Sequence, residues 1–187
     1  MKKNRCAWVT EDKIYKDYHD TEWGNPIHND QQLFETLMLE CMQTGLSWLI
    51  VLKKREGYRA AFDNFDIDKI SKYDNYKINC LMENKDIIRH RMKIMAIISN
   101  ASAFKKIQDT HGSFDKFIWS YVDNKPIINS WETIHQIPTT TELSKQISKD
   151  LKKIGFKFLG DITVYSYLQA IGIVNDHTKE CFLYKGK

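Results

Sequence analysis

Two cysteines and two histidines near the opposite ends of this chain form one complete Cys2His2 ligand set. The four residues are Cys6, His19, His177 and Cys181. Zinc held by four protein ligands has no position left for water or substrate, so a site of this kind serves structure rather than catalysis. An ion bound by this set joins the two terminal segments, which favours a single domain over residues 1–187. We therefore expect one structural Zn2+.

The spacing within this set supports a metal site unevenly. Three residues separate His177 from Cys181, and this spacing predicts that both side chains lie on one face of a helical turn. Twelve residues separate Cys6 from His19, so that pair adds little. The alternative interpretation is a pair of core cysteines and two surface histidines that bind no metal.

The composition is that of a soluble protein in a reducing compartment. The chain has 187 residues, 42% of them hydrophobic, which is enough for one full hydrophobic core. Its four cysteines are irregularly spaced, and no apolar segment of a secretory signal follows the first basic residues. The longest clean apolar run, residues 46–52, is too short to span a bilayer. We expect a cytoplasmic protein with no membrane segment and with free or metal-bound thiols.

Basic side chains are clustered along the chain, whereas acidic side chains are dispersed. The net charge is +4, from 28 Lys and Arg against 24 Asp and Glu. The basic clusters occupy residues 53–55, 89–93 and 152–157. Each cluster alone is most simply a solvated helix face, but three of them together favour a partner with a phosphate backbone.

Apolar residues recur at helical spacing through almost the whole chain, so the predicted fold class is all-α and no strand is required. The clearest amphipathic segment runs from a predicted cap at Asp30 toward Thr44. The spacing of Thr139 and Glu142 predicts a capping box before a basic helix that ends at Gly155. Further helices are predicted after Ser47, after Asp66, from Asn75, over 91–108, after Ser113 and, as a central buried helix, over 158–173.

A carboxylate, a glycine and a tryptophan lie close together where the helix predicted from Asp30 is followed by the helix predicted after Ser47. They are Glu40, Gly45 and Trp48. On a helical wheel Glu40 lies at the margin of the apolar stripe, and this periodicity favours a side chain that reaches water. A buried Glu40 would need a charged or hydrogen-bonding partner, and its pKa would rise.

Aromatic residues are dense in the first fifty positions, namely Trp8, Tyr15, Tyr18, Trp23 and Trp48. Their faces are suitable for stacking on a planar base. Aromatic clusters of this kind more often serve core packing, so the cluster is informative only in combination with Glu40 and the Cys2His2 set.

A short turn with basic residues, at 84–93, joins the helix predicted from Asn75 to the long helix over 91–108. A helix-hairpin-helix around 75–108 would present backbone N–H groups and a helix N-terminus to a DNA phosphate, with basic side chains adding affinity independent of sequence. The alternative is a plain connection between two helices.

Motifs along nearly the whole chain resemble those of the bacterial 3-methyladenine DNA glycosylase I family, alkylation-repair enzymes of the helix-hairpin-helix superfamily. The motifs are RCAW at 5–8, YHDTEWG at 18–24, LE at 39–40, GLSW at 45–48, LKKRE at 52–56, IIRHR at 87–91, GFKFLG at 155–160 and NDH at 175–177.

The resemblance implies roles for the residues singled out above. It implies zinc bound by the Cys2His2 set, and a base pocket that contains Glu40, with Tyr18 assisting catalysis by hydrogen bonding. It also implies that Trp8 and Trp48 stack on the base, and that Tyr15 and Trp23 line the pocket.

The resemblance further implies which residues contact DNA. Gly45 and Leu46, with Gln43 nearby, match the loop that presses into the space left by the extruded nucleotide. Asp86 departs from the superfamily pattern, since many hairpins have glycine there and a carboxylate near phosphate weakens binding. The implied hairpin contacts are Ile87, Ile88, Arg89, His90, Arg91 and Lys93.

The activity that the resemblance implies is hydrolytic release of 3-methyladenine from alkylated double-stranded DNA, leaving an abasic site without strand cleavage. We expect a monomer. The alternative is a zinc-organised helical module that binds damaged DNA without catalysis. The presence of Glu40 together with Tyr18 and Trp48 favours the enzyme, because a binding module has no evident need for them.

Overall fold

The computed structural model describes residues 3–186, and helices occupy most of that range. The helices are α1 Lys13–Thr21, α2 Asp30–Gln43, α3 Trp48–Lys53, α4 Arg55–Ala61, α5 Ile67–Ile70, α6 Asn75–Glu83, α7 Arg91–His111, α8 Phe114–Ser120, α9 Glu142–Ile154 and α10 Asp161–Ala170. Two 3-10 turns, at Asp63–Phe65 and Ile134–Gln136, complete the helical part.

Two short parallel strands, β1 Ile127–Ile128 and β2 Val174–Asn175, are the departure from an all-helical chain. Ile127 lies opposite Val174, and Ile128 lies opposite Asn175. A strand of two residues is too short to produce a recognisable alternation of apolar and polar residues. The predicted all-α class therefore holds for the architecture, and the two short strands are an addition that the sequence pattern did not indicate.

The first predicted amphipathic helix is present as α2, and its apolar stripe is fully buried. Its N-cap is Asn29, whose side chain accepts from the Gln32 backbone N–H. Asp30, the predicted cap, instead accepts from the backbone N–H groups of Phe114 and Asp115 and so fixes the start of α8. The cap was predicted one residue after its true position. The two residues are adjacent, and Asn and Asp are both favoured at helix N-caps, so the sequence did not distinguish them.

The capping box of α9 lies two residues after the predicted position. Thr141 accepts from the Ser144 backbone N–H at 3.2 Å, and the Ser144 hydroxyl accepts from the Thr141 backbone N–H at 2.9 Å. The predicted box of Thr139 and Glu142 was therefore wrong. The predicted end was correct, since Gly155 closes the helix with a positive φ of 115°.

The C-terminal helix α10 packs on α2 and α9 in the centre of the molecule. It is shorter than the predicted 158–173 segment, because the chain turns at both ends of the buried run. The phenol of Tyr167, fully buried, donates to the Leu33 carbonyl at 3.2 Å and connects α10 to α2. None of the helices within residues 3–186 is both long and apolar enough to cross a membrane.

Candidate active site

The four predicted metal ligands lie together in one buried cluster, although they come from opposite ends of the chain. The Cys181 Sγ is 3.4 Å from both the His19 Nε2 and the His177 Nδ1, and the Cys6 Sγ is 3.5 Å from the same His177 nitrogen. Tetrahedral zinc places sulfur and nitrogen ligands about 3.5 Å apart. A hydrogen bond from Cys6, assisted by bonds from both imidazoles, lowers the pKa of the Cys181 thiol and favours the thiolate that a metal requires. The cluster is therefore a possible metal site.

Neighbouring groups orient both histidines of the cluster. The Asp20 carboxylate lies 2.9 Å from the His19 Nδ1 and is held by two hydrogen bonds from Arg5, at 2.7 and 2.8 Å. The His177 Nε2 lies 3.3 Å from the Trp23 carbonyl oxygen. These partners leave the other nitrogen of each ring free to bind a metal, as in known zinc sites.

The predicted helical turn over His177 and Cys181 is not present. These residues follow β2 in a loop, where the Cys181 backbone N–H donates to the Thr178 carbonyl at 2.8 Å in a reverse turn. The spacing still brings the two side chains together because a reverse turn, like a helical turn, places residues that are a few positions apart close to each other.

A cavity of about 280 Å3 lies beside this cluster, close to the lower size limit of typical small-molecule pockets. The predicted base-pocket residues all line it. The lining residues are Trp8, Tyr15, Tyr18, Trp23, Glu40, Gln43, Trp48, Ile134, Ile137, Ser166 and Gln169.

Glu40 is the buried acid of this cavity. Only 4% of its surface is exposed, so the expectation from helical periodicity that it reaches water was wrong. None of the hydrogen bonds within residues 3–186 involves its carboxyl group, and burial raises its pKa to about 8. An unpaired buried carboxyl group is costly for folding, and this cost points to a ligand that compensates it.

Aromatic rings form the walls around Glu40. The Trp8 ring lies edge-on to Tyr15 and to Trp23, each with ring centroids 5.1 Å apart, and the Tyr18 and Trp48 centroids are 5.5 Å apart. The indole Nε1 atoms of Trp8 and Trp48 are inaccessible to solvent and have no hydrogen-bond partner in the described chain. The rings therefore pack on one another and also border open space.

Tyr18 is a neutral hydrogen-bond donor in this cavity. It is buried, and burial, with a further contribution from the nearby Glu40, holds the pKa of its phenol well above 10. The phenol stays protonated at neutral pH, as expected of a residue that assists by hydrogen bonding.

The comparison with known proteins identifies the family. The family profile described as methyladenine glycosylase matches residues 8–184. The chain belongs to the methyladenine glycosylase family. The resemblance inferred from the sequence motifs is thereby confirmed.

Individual relatives of this methyladenine glycosylase family member are similar over nearly their full length. The DNA-3-methyladenine glycosylase of Haemophilus influenzae is 49% identical over 177 residues, which cover 95% of this chain and 96% of the relative. A crystal structure of 3-methyladenine DNA glycosylase I has a TM-score of 0.95 at 48% identity, covering 97% of this chain and 100% of that one. A tyrosine-to-phenylalanine variant of 3-methyladenine DNA glycosylase I, solved in complex with 3-methyladenine, has a TM-score of 0.92 at 43% identity, covering 95% and 96%.

Four cavity residues of this family member were missed by sequence reasoning. Ile134 and Ile137 lie in and after a 3-10 turn, within a polar segment that has no helical periodicity. Ser166 and Gln169 lie on α10. Two polar residues three positions apart on an otherwise apolar helix were the one signal that indicated a shared polar face.

The loop predicted to press into the space left by the extruded nucleotide, at 43–46, follows α2 at the edge of the cavity. We call it the wedge loop. Gly45 is exposed with a positive φ of 83°, and Leu46 is half-buried. The Gln43 amide donates to the Leu46 carbonyl at 2.9 Å and closes the turn.

Lys93 stabilises the same turn, since its buried ammonium donates to the carbonyls of Met42 and Thr44. Lys93 thus differs from the exposed basic residues among the predicted DNA contacts, because its ammonium is directed at this loop and not at solvent.

The predicted hairpin lies between α6 and α7, as expected, and residues 84–90 form its loop. Arg89, His90 and Arg91 are exposed, whereas Ile87 is buried. His90 caps α7 by accepting from the backbone N–H at position 93. The Ile88 backbone N–H is already bonded to a tyrosine hydroxyl at 3.1 Å. The loop therefore offers basic side chains more than free backbone donors.

Asp86 packs its backbone and Cβ closely against Gly57 of α4. A Cβ at Gly57 would lie 2.4 Å from the Asp86 carbonyl oxygen and 2.8 Å from its Cβ, so only glycine fits there. The Asp86 backbone N–H donates to the Asn84 side chain at 2.8 Å. The acidic residue is therefore accommodated by the fold, on the exposed side of the loop.

A second loop, at 155–160 between α9 and α10, adjoins this hairpin. The His90 and Phe158 rings are 6.4 Å apart, and Phe158 adopts a positive φ of 57°. Asn100 of α7 exchanges two hydrogen bonds with the backbone of Lys157, at 2.8 and 3.1 Å. The two loops thus form one continuous surface, which the sequence analysis did not anticipate.

Proposed function

We propose that this protein is a monofunctional DNA glycosylase that flips 3-methyladenine out of alkylated double-stranded DNA and excises it by hydrolysis. The observation that carries this proposal is the buried Glu40, which lacks a hydrogen-bond partner in the described structure and lies in a cavity walled by aromatic rings. The four cysteines, all within the described residues, form no disulfide, which supports a reducing, cytoplasmic compartment.

Glu40 provides selectivity for a positively charged base. With a pKa of about 8 it is mostly protonated at neutral pH in the empty cavity. A nucleoside alkylated at the ring nitrogen carries a positive charge, which favours the ionised carboxylate when the base enters. Unmodified adenine lacks that charge. Its entry leaves the cost of the buried acid uncompensated, so it binds less well.

The aromatic walls recognise the flipped base by stacking and cation-π attraction. We assign the stacking contacts to Trp8 and Trp48, and the remaining walls to Tyr15 and Trp23. Tyr18 donates a hydrogen bond from its neutral phenol. A damaged base pair costs less to open than an intact one, so extrusion itself adds to the selection.

The excision step needs little acid catalysis. As the bond between the sugar anomeric carbon and the base nitrogen breaks, the base takes the electron pair and leaves neutral. Water supplies the new oxygen–carbon bond and releases a proton to solvent, which leaves an abasic site. Among the described residues that line the cavity there is no lysine, so no amine nucleophile is available for strand cleavage.

The DNA backbone binds across the hairpin loop at 84–90 and the loop at 155–160. Exposed Arg89, Arg91 and Lys157 supply positive charge there. The N-terminus of α10 adds backbone N–H groups, because its cap, Gly160, has no side chain to satisfy them. We assign this surface to the helix-hairpin-helix mode of binding, in which phosphate contacts position the protein independently of sequence.

The wedge loop fills the gap left by the extruded nucleotide. Gln43 closes its turn, Gly45 permits the positive φ, and Leu46 supplies an apolar side chain for insertion between bases. The loop adjoins the cavity because Gln43 lines it. Insertion there stabilises the extruded state without contacting the reacting atoms.

We propose that the Cys2His2 cluster binds one structural zinc ion. Two thiols, two imidazoles and separations close to those of a tetrahedral site support zinc over other metals. The bound ion contributes stability by joining the terminal segments. His19 lies against Trp8, with ring centroids 5.3 Å apart, so the cluster also supports one wall of the cavity.

The experiment that tests this function is release of free 3-methyladenine from methylated duplex DNA, with 7-methylguanine release recorded in the same samples. We expect release by the wild type and loss of most excision in Glu40→Gln, with DNA affinity retained. If neither protein releases the base although both bind DNA, the glycosylase proposal is wrong and a binding module is the better interpretation.

A further inference from the structure

Asp176 is a fully buried carboxylate that accepts hydrogen bonds from four side chains. Its Oδ1 accepts from the Asn129 amide and the Trp131 indole, each at 2.7 Å. Its Oδ2 accepts from the Tyr165 phenol at 2.5 Å and from the Gln169 amide at 2.7 Å. Asp176 directly precedes the metal-cluster residue His177, yet none of the assigned roles uses it.

The carboxylate determines how the Gln169 side chain is turned. The Gln169 amide directs its NH2 group toward Asp176 and donates to the carboxylate Oδ2 at 2.7 Å. A flipped amide would place its oxygen against Oδ2 at the same short distance. The carbonyl oxygen Oε1 is therefore directed away from Asp176, and no hydrogen bond within residues 3–186 uses it.

The free oxygen belongs to a residue that lines the cavity. Gln169 is half-buried in the last turn of α10 and lines the cavity. In the described chain, the side-chain polar atoms that have no hydrogen-bond partner and are inaccessible to solvent are two indole nitrogens, so the unpaired Oε1 of Gln169 is reached by solvent. Gln169 lines the cavity where the base is proposed to bind.

We infer that Gln169 is a further base-contacting residue and that Asp176 positions it, holding its Oε1 toward the flipped base. This inference rests on the proposed function. A fixed carbonyl dipole adds an acceptor for the amino hydrogens of a cationic purine and also favours its charge. Because Asp176 fixes the amide before binding, no rotamer entropy is lost when the base arrives.

Asp176 also holds the segment at 129–131, and the test must separate this contact from its contact with Gln169. Through Trp131 and Asn129 it also anchors the segment that carries Ile134 and Ile137, two apolar residues of the cavity wall. Replacement of Asp176 therefore disturbs both Gln169 and that segment. A substitution at Gln169 leaves the anchor of the segment in place.

The first test is Gln169→Leu, which removes the amide while keeping a side chain of similar size. We expect the single-turnover rate constant for excision of 3-methyladenine, measured at subsaturating enzyme, to fall about 10- to 100-fold, as for loss of a hydrogen bond to a charged group. Affinity for duplex DNA with a tetrahydrofuran abasic analogue should not change, because no base occupies the cavity there. The matched control is Gln146→Leu, which removes an exposed glutamine–aspartate hydrogen bond of equal length, to Asp150 on α9.

The second test is a double-mutant cycle with Asp176→Asn, checked by thermal melting and metal content to confirm that it folds. An asparagine side chain at this position permits the Gln169 amide to flip, so excision should fall in the single variant, and adding Gln169→Leu should cost little more. Additive losses would show that Asp176 does not act through Gln169, and wild-type excision by Gln169→Leu would exclude the base contact. Failure of the wild type itself to release 3-methyladenine would instead contradict the proposed function.

Discussion

The Lys93 ammonium donates a 2.8 Å hydrogen bond to the carbonyl oxygen of Thr44, and so connects the start of α7 to the turn that follows α2. A second bond from the same nitrogen, 3.0 Å long, reaches the Met42 carbonyl. These carbonyls lie at the end of α2, where backbone acceptors lack helical partners and attract positive charge. A buried lysine thus joins the hairpin and the wedge loop, two elements assigned to DNA binding.

Replacement of Lys93 by methionine tests this brace. The variant leaves the Met42 and Thr44 carbonyls without their donor, so we expect the free energy of unfolding to fall by about 1–3 kcal/mol. DNA affinity should fall because the wedge loop loosens, but the slope of log affinity against log salt should not change. The measurements are urea denaturation and DNA binding between low and moderate salt.

The matched variant is Arg89→Met in the exposed hairpin. A side chain that neutralises a phosphate releases counterions, so its loss should reduce the salt slope by about one. A reduced slope in Lys93→Met as well would indicate that Lys93 contacts phosphate directly, against the geometry of its hydrogen bonds.

Glu40→Gln should stabilise the protein, and more so at higher pH. Burial raises the pKa of Glu40 from 4.5 to about 8, so the folded state holds the proton more tightly than the unfolded chain. The free energy of unfolding of the wild type therefore falls as the pH rises from about 4.5 to 8. The advantage of the glutamine variant should approach zero near pH 4 and reach roughly 5 kcal/mol at most above pH 8.

Urea denaturation at pH 5 and at pH 8.5 measures this difference. Glu83→Gln, on the exposed end of α6, is the surface control and should follow the wild type at both values. An advantage of Glu40→Gln that is equal at the two pH values would contradict a buried, protonated Glu40.

The activity should depend on pH in the opposite direction to the stability. The ionised carboxylate stabilises the cationic base, so kcat/KM should rise with pH and level off above the free-enzyme pKa of about 8. At pH 6 it should be roughly 100-fold below the plateau. Steady-state excision of 3-methyladenine across this range gives the profile, and a flat profile would show that the charge of Glu40 is not needed. The residual activity of Glu40→Gln should lack the rise.

Loss of a metal ligand should open the connection between the two ends of the chain. We expect Cys181→Ser to lose bound zinc and to lower the Tm by roughly 10 °C or more, with excision falling in parallel because the cluster supports Trp8. Atomic absorption and thermal melting measure the two effects. Cys80→Ser, at an exposed cysteine, is the control and should change neither. Zinc-depleted wild type that melts normally would refute the structural role.

Local signals explain why many helix boundaries were predictable. Asp66 and Ser113 cap α5 and α8, and Gly155 ends α9, as expected from side chains and backbone preferences that act within a few residues. Errors occurred where two local candidates competed, as with Asn29 and Asp30. The choice between them depended on a distant partner, the start of α8.

The burial of Glu40 was not predictable from α2 alone. Its position at the margin of the apolar stripe permits either water or protein beside it. The aromatic residues at 8–23 and the helix α10, which line the cavity with Glu40, cover that margin and decide the outcome. The direction of Lys93 has the same origin. Its place in a basic cluster favoured a phosphate, whereas packing of α7 against α2 turned its ammonium toward the end of α2.

The sequence by itself determined the all-α class, the Cys2His2 set that could hold a metal, the aromatic residues of the cavity and the family, because these depend on residue identity and spacing along the chain. Only the tertiary structure decided which polar groups are buried and what they contact, as with Glu40, Lys93, and the pair of Asp176 and Gln169. Burial is a property of surfaces that meet from distant parts of the chain. Its electrostatic consequences, a raised pKa or an oriented amide, arise only when those surfaces exclude water.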